Sequence, residues 1–366
     1  MKLKVCVVSS TKPYPAFDSV LSICREVKGP QNVTDFRFNA DEKDYPALLK
    51  PLFILLADFC LFLKLVKIKK EKKINVMLLF QGYWPLTSLG SRLLGTKLIL
   101  YVGGSGFEWS FIENTSSNCK IIVYLNLLIE KICHASSNVI VTLSPRMVGM
   151  LKAGKFRNKT MFALPRLDSN FLSEFKITQK IDQRKNMIGY VGALNIRKGI
   201  MNLIRAIPFV LQKRDCHFII VGDGPLMGDI TKIIKDLKIN NSVTLTGYAD
   251  YNLLSGYFNE MKLCIIPSYA EGIPSTIFEA MACGTPVLST PVGGILDVVT
   301  DHKTGFILPS NSPRSIADQI IRLIDDPKTL KEVSNNAVLN FTHDFSKEKI
   351  DQSWKNIFVR IESPTQ

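Results

Sequence analysis

Four short runs in the first half of the chain, KLKVCVVSS, NVMLLFQG, KLILYVGG and NVIVTLS, are apolar almost throughout and rich in β-branched residues. A strand that fails to alternate has both faces buried. The stretches between these runs, such as WPLTSLGSRLLG and KIIVYLNLLIEKICHA, have helical length. That pattern fits a parallel sheet covered by helices on both faces. After a polar stretch that reads as a linker, LSEFKITQKIDQRKN at 172–186, the alternation starts again. NMIGYVGAL, CHFIIVGDG, SVTLTG, KLCIIPS, TPVLST and GFILP read as strands, and LIRAIPFVLQK, MGDITKIIKDLK, PSTIFEAMACG and SPRSIADQIIRLIDD as helices. A chain of 366 residues is also too long for one ordinary core. The expectation is α/β: two doubly wound domains, residues 1–175 and 176–344, facing a cleft at the carboxyl ends of their strands.

Composition narrows the compartment and the partners. Eight scattered cysteines with no C-x-x-C, and four histidines never at ligand spacing, read as buried free thiols in a reducing cytoplasm with no metal site. The opening MKLKVCVVSS has too short an apolar run for a signal peptide and reads as a first strand. Net charge is +14, and residues through Phe175 hold 24 Lys+Arg against 13 Asp+Glu, leaving only +3 for the remainder. An N-terminal half so basic suits an anionic partner. Nucleic acid is not expected, because no recognised module or aromatic–basic interleaving occurs.

One segment breaks the rhythm. ALLKPLFILLADFCLFLKLVKIKKEKK, residues 47–73, joins an apolar run to six lysines within 64–73. Lys50, Asp58 and Lys64 interrupt the run, so it falls short of the ~20 clean residues of a span. Two readings stay open: a helix packed in the first domain with a solvated basic end, or an interfacial helix on an anionic membrane surface. The regional charge favours the second, and with it a peripheral place on the inner face of the cell membrane.

The chemistry concentrates in EGIPSTIFEAMACGTPVLSTPVGG, Glu271 to Gly294. KLCIIPS is a strand, so SYAEG is the loop at its carboxyl end. Pro274 suits the first helical position, and Gly284 the stop. Ser275 and Thr276 then offer unpaired N–H groups, which make the helix start an anion site. A diphosphate is the natural occupant. Glu279, one turn in, would repel that anion and is better read as an acceptor for a ribose diol. Glu271, outside the helix, accepts from hydroxyls on the other side. Polyol, diphosphate, polyol describes a nucleotide sugar.

Three further elements point to the same rim. VGALNIRKG ends a strand at Gly192 and brings Arg197 and Lys198, which neutralise a diphosphate. VGDGP carries Gly222 and Gly224 in a turn that permits close backbone approach. VTLTGY places Gly247 where a nucleotide base could meet main-chain groups.

In their order and spacing, these strings with HKTGFIL resemble the C-terminal domain of the family-4, GT-B-fold retaining glycosyltransferases, over about residues 186–340. SNVIVTLSPRM followed by LPRLDSNF resembles the family's first domain more loosely. FSKEKIDQSWKNIF resembles its closing helix, here 345–366, which packs back on the first domain. The resemblance implies two Rossmann-like domains. It also implies a ribose-binding role for Glu279 and a diphosphate-binding role for Lys198. Glu271 with the main chain of Gly272, Ile273, Pro274 and Ser275 would address donor sugar and phosphates. The chain departs from the pattern in three places. Ala193 stands where the family usually has arginine, Val102 where it often has a histidine, and SSTKPYPAFDS lacks the family's Gly-Gly turn.

The implied reaction is transfer of a sugar, with retention, from a nucleoside diphosphate sugar to an acceptor hydroxyl. No D-x-D occurs in the chain, so neither metal nor other cofactor is expected. A lipid-linked glycan or glycolipid acceptor in bacterial surface polysaccharide assembly would fit the basic first half. A nucleotide-sugar epimerase of the same fold, or a non-catalytic nucleotide-sugar-binding partner of a transferase, are the alternatives.

Overall fold

The computed structural model describes residues 3–9, 15–37, 50–80, 83–103, 120–150, 154–164 and 174–362. The chain divides into two compact units, one of residues 1–167 with 347–366 and the other of 168–346.

The first unit contains a six-stranded parallel sheet in the order β2-β1-β3-β4-β5-β6. Its strands are β1 (Val5–Ser9), β2 (Val33–Arg37), β3 (Val76–Phe80), β4 (Lys97–Val102), β5 (Val139–Thr142) and β6 (Thr160–Phe162). The four apolar runs form β1, β3, β4 and β5 and are buried on both faces. One face packs against Phe17, Val20 and Ile23 of the Pro15–Lys28 helix and against Trp354, Ile357 and Phe358 of the Lys347–Glu362 helix. Trp354 lies 5.8 Å from Tyr101 of β4, ring to ring, and donates its indole N–H to Leu164 O at 2.9 Å. The closing helix is thus built into the core of the first unit.

The opposite face is covered by three helices, Lys50–Lys72, Pro85–Leu93 and Lys120–Ser136. Ala57, Leu61 and Leu65 of the first of these pack against Met77, Leu79 and Leu98. Asp58, one of the residues that interrupt the apolar run, is fully buried. Its carboxylate accepts from Leu86 N at 2.6 Å, Thr87 N at 2.9 Å and the Thr87 hydroxyl at 2.6 Å. Those are the first two free amides of the Pro85–Leu93 helix, since Pro85 has none, so Asp58 caps a neighbouring helix from outside. Burial raises its pKa, against the hydrogen bonds that lower it.

The second unit has a parallel sheet in the order β12-β11-β10-β7-β8-β9. It comprises β7 (Met187–Val191), β8 (His217–Val221), β9 (Val243–Gly247), β10 (Leu263–Ile266), β11 (Val287–Ser289) and β12 (Phe306–Ile307). The chain runs outward from β7 through β8 to β9, then returns to β10 on β7's other side and continues outward. The order reverses between β7 and β10, and in open α/β sheets a ligand crevice forms at such a point.

The stretch expected to be a linker belongs to this unit. Phe175 is buried 5.2 Å from the Tyr251 ring, and Ile181 is buried too. Asn259 Oδ1 accepts from Thr178 N at 2.7 Å. Arg184, 3% exposed, donates to the carbonyls of Gln179, Phe258, Met261 and Cys283 and to the Thr285 hydroxyl. The first unit therefore ends at Leu167, ahead of the expected boundary at 175, because Phe175 is core to the second.

Candidate nucleotide-sugar site at the switch point of the second unit

Two loops leave the sheet where its order reverses. After β7 come Gly192 and Ala193, then a turn at Ile196–Lys198 whose Asn195 side chain accepts from Lys198 N at 3.0 Å. After β10 come Pro267, Ser268 and the Glu271 loop, then the Ser275–Ala282 helix. Tyr269 N donates to Arg197 O at 2.8 Å and joins the loops through their backbones.

The side chains meet at Glu271, which is 4% exposed. Lys198 Nζ donates to its Oε1 at 2.6 Å, and the Ser268 hydroxyl reaches the same oxygen at 2.7 Å. Arg197 Nη1 lies 3.4 Å from Oε2 and 3.2 Å from Ala270 O. Sequence reading placed the two cations on a diphosphate and Glu271 on hydroxyls; the structure joins all three in one ion-paired group. With two cations and one anion, the Arg197–Lys198–Glu271 group keeps a net positive charge. Ser268, three residues before Glu271 at the strand end, was not singled out from the sequence, where it reads as an ordinary loop serine.

The helix begins one residue later than expected. Pro274 has ψ 131 and stands at the N-cap, so Ser275 and Thr276 are its first two helical positions, whose N–H groups have no intrahelical acceptor. The far end is closed as expected near Gly284, with Gly284 N bonded to Met281 O at 3.0 Å and Thr285 N to Ala280 O at 2.8 Å. Glu279 is 3% exposed inside the helix. Burial pushes its pKa from 4.5 to about 7, while a hydrogen bond from the Ser275 side chain and the charge of Lys198 pull the other way. Lys198 therefore acts on both glutamates.

Glycine is required where backbones touch. Gly222 has φ 138, and a Cβ there would lie 2.0 Å from Gly192 O. It donates to Gly247 O at 2.9 Å, so the Gly192, Gly222 and Gly247 loops pack main chain to main chain. Gly224 backs onto Leu194 O in the same seam. Gly293, in the PVGG turn, has φ 64, and a Cβ on it would lie 2.2 Å from Glu271 O. That turn also braces the loop through Gly294 N to Gly272 O at 2.8 Å. Ala193 is exposed and accepts the Tyr190 hydroxyl through its carbonyl at 2.8 Å. Val102 is the buried last residue of β4. Residues 10–14, within SSTKPYPAFDS, lie outside the described residues.

Two Rossmann-like units of parallel strands, the second with a positively charged helix start at its switch point, define the GT-B class of fold. Residues 173–339, within the second unit, match the family of glycosyl transferases group 1. The chain is similar to alpha-D-kanosaminyltransferase of Streptomyces kanamyceticus, 30% identical over 166 residues, which are 45% of this chain and 43% of that one. It is 27% identical over 203 residues to the capsular polysaccharide biosynthesis glycosyltransferase CapM of Staphylococcus aureus, covering 55% and 52%. The chain thus spans about half the length of these relatives. Its fold is similar over 98% of the chain, and 100% of the other, to the crystal structure of Anabaena HepE in complex with UDP, with a TM-score of 0.76 and 17% identity.

Proposed function

We propose that this protein is a retaining glycosyltransferase that moves a sugar from a nucleoside diphosphate sugar to an acceptor hydroxyl in glycan biosynthesis. The observation that carries the reading is the contact of Lys198 with Glu271 beside the amides of Ser275 and Thr276. Relatives named as glycosyltransferases, one in capsule synthesis, support the class of reaction. The UDP complex of a protein of like fold supports a nucleotide as ligand.

Negative charge builds on the diphosphate as the anomeric bond breaks. Fixed dipoles and cations facing that charge stabilise the transition state more than the ground state. Lys198 and Arg197 take this role, held in advance by Glu271, and the Ser275 and Thr276 amides add the helix dipole. Glu279 accepts from the ribose diol. Glu271, with both its oxygens engaged on the cations and Ser268, sets the cations' positions and bounds the sugar pocket through the Gly272–Pro274 main chain. The cations carry the charge, so the reaction needs no metal, and turnover is expected to survive EDTA. The acceptor is a lipid-linked glycan or glycolipid, which suits the basic first half.

The test is incubation with UDP-, GDP- and ADP-sugars and a bacterial membrane acceptor fraction. Release of nucleoside diphosphate coupled to acceptor glycosylation supports the reading. An altered free sugar without acceptor would point to an epimerase, and binding without turnover to a non-catalytic partner.

A further inference from the structure

The three helices on the outer face of the first unit's sheet are unusually greasy on the side away from the sheet. The Lys50–Lys72 helix exposes Leu55, Leu56, Phe59 and Leu63, with Leu56 at 57%. Its neighbour, Pro85–Leu93, exposes Leu86, Leu89 and Leu93, the last at 88%. Lys120–Ser136 exposes Tyr124 at 69% with Leu125 and Leu128. Soluble surfaces scatter such residues singly, whereas contiguous patches mark binding faces. These rows are contiguous. The Phe62 ring fills the space beside Gly90 and seats the first helix against the second, and the second packs on the third.

Cations sit at one end of this face. Each helix crosses over between parallel strands, so all three run antiparallel to the sheet and end along the same edge. There the outward row Leu56–Phe59–Leu63 continues at helical spacing into Lys67 and Lys70, both exposed. Arg92 and Lys131 are exposed near the ends of the other two helices. Among the described residues no helix is long and apolar enough to cross a membrane.

We propose that this face docks on an anionic lipid bilayer, with the leucine and aromatic rows entering the headgroup–acyl boundary and the basic edge resting among anionic headgroups. The charge of the occupant follows from the cations. A second copy of the chain would bring its own lysine-rich edge into a surface already basic, whereas a bilayer supplies both the apolar layer and the negative charge. The inference uses only the first unit and stands apart from the transferase reading.

Co-sedimentation with phosphatidylcholine vesicles, with and without phosphatidylglycerol, tests it on the full chain. The wild type is expected to bind the anionic vesicles at least about tenfold more tightly than the neutral ones, and more weakly at high salt. Leu56→Ser/Phe59→Ser/Leu89→Ser/Leu128→Ser should lose binding, and Lys67→Glu/Lys70→Glu should lose the anionic preference. All six positions are exposed, and an unchanged melting temperature verifies folding. Cys60 is exposed while the other described cysteines are buried. An environment-sensitive dye on Cys60, in a Cys119→Ser background, should therefore shift to the blue on anionic vesicles. Absence of vesicle binding, equal binding to both lipids, or lipid-free self-association abolished by the serine variant would each overturn the proposal.

Discussion

Lys198 Nζ lies 2.6 Å from Glu271 Oε1, so the cation proposed to face a diphosphate is held by a buried carboxylate. The pairing fixes the ammonium on Glu271 and leaves Arg197 to share the other oxygen at 3.4 Å. Lys198→Ala should lower kcat by about 10²–10³-fold, with a smaller effect on KM, because the lost contact strengthens only as charge develops. Lys198→Arg should recover part of it. A Lys198→Ala enzyme with unchanged kcat would remove Lys198 from the mechanism.

Glu279 opposes stability and function. Its folded pKa, about 7, lies above the 4.5 of an ordinary glutamate. A raised carboxyl contributes stability below about pH 4.5 and loses it as pH rises through 7. Glu279→Gln should therefore stabilise the free protein at about pH 8, by on the order of 2–3 kcal/mol, and little at about pH 5. The same variant should bind the donor more weakly. Calorimetric melting at the two pH values, with UDP titration, checks both; a stability gain independent of pH would refute the buried charge as its source.

The Asp58 cap gives a stability prediction far from the site. Asp58→Ala strands the Leu86 and Thr87 amides and should cost about 1–3 kcal/mol by urea unfolding. Asp58→Asn, which keeps one acceptor, should cost less.

Two glycines of the second unit make a matched pair. Gly222→Ala drives a methyl to 2.0 Å from Gly192 O at φ 138 and should destabilise by about 2–4 kcal/mol. Gly228, in the Met227–Asp236 helix, has no atom within 4 Å of an added Cβ. Gly228→Ala should be neutral or stabilising by about 0.5–1 kcal/mol. Equal melting temperatures for the two variants would contradict the backbone seam.

Much of this fold was legible because central parallel strands must be apolar on both faces, and β1, β3, β4 and β5 are. The edge strands of the first unit, β2 and β6, were missed for the converse reason. In β2, Asp35 and Arg37 face partly outward, and β6 has only three residues. The linker reading of 172–186 failed because its polar residues turn inward: Arg184 is satisfied by carbonyls far along the chain, and periodicity cannot announce such partners. In the site, the helix start and the residue types could be read from Glu271, Pro274 and Gly284. The pairing of Lys198 with Glu271 could not, since it joins loops 73 positions apart through a hydrogen bond that only the β7–β10 adjacency creates.

Arg184 bonds to Cys283 O at the end of the Ser275–Ala282 helix, and to Met261 O just ahead of β10, within one guanidinium. The Ser275–Ala282 helix is thereby moored at its C-terminal end to the very strand that leads into the Glu271 loop. Its amides cannot drift along the helix axis without tearing that anchor. The alignment that a flexible pocket would have to find at each turnover is fixed here once, when the chain folds.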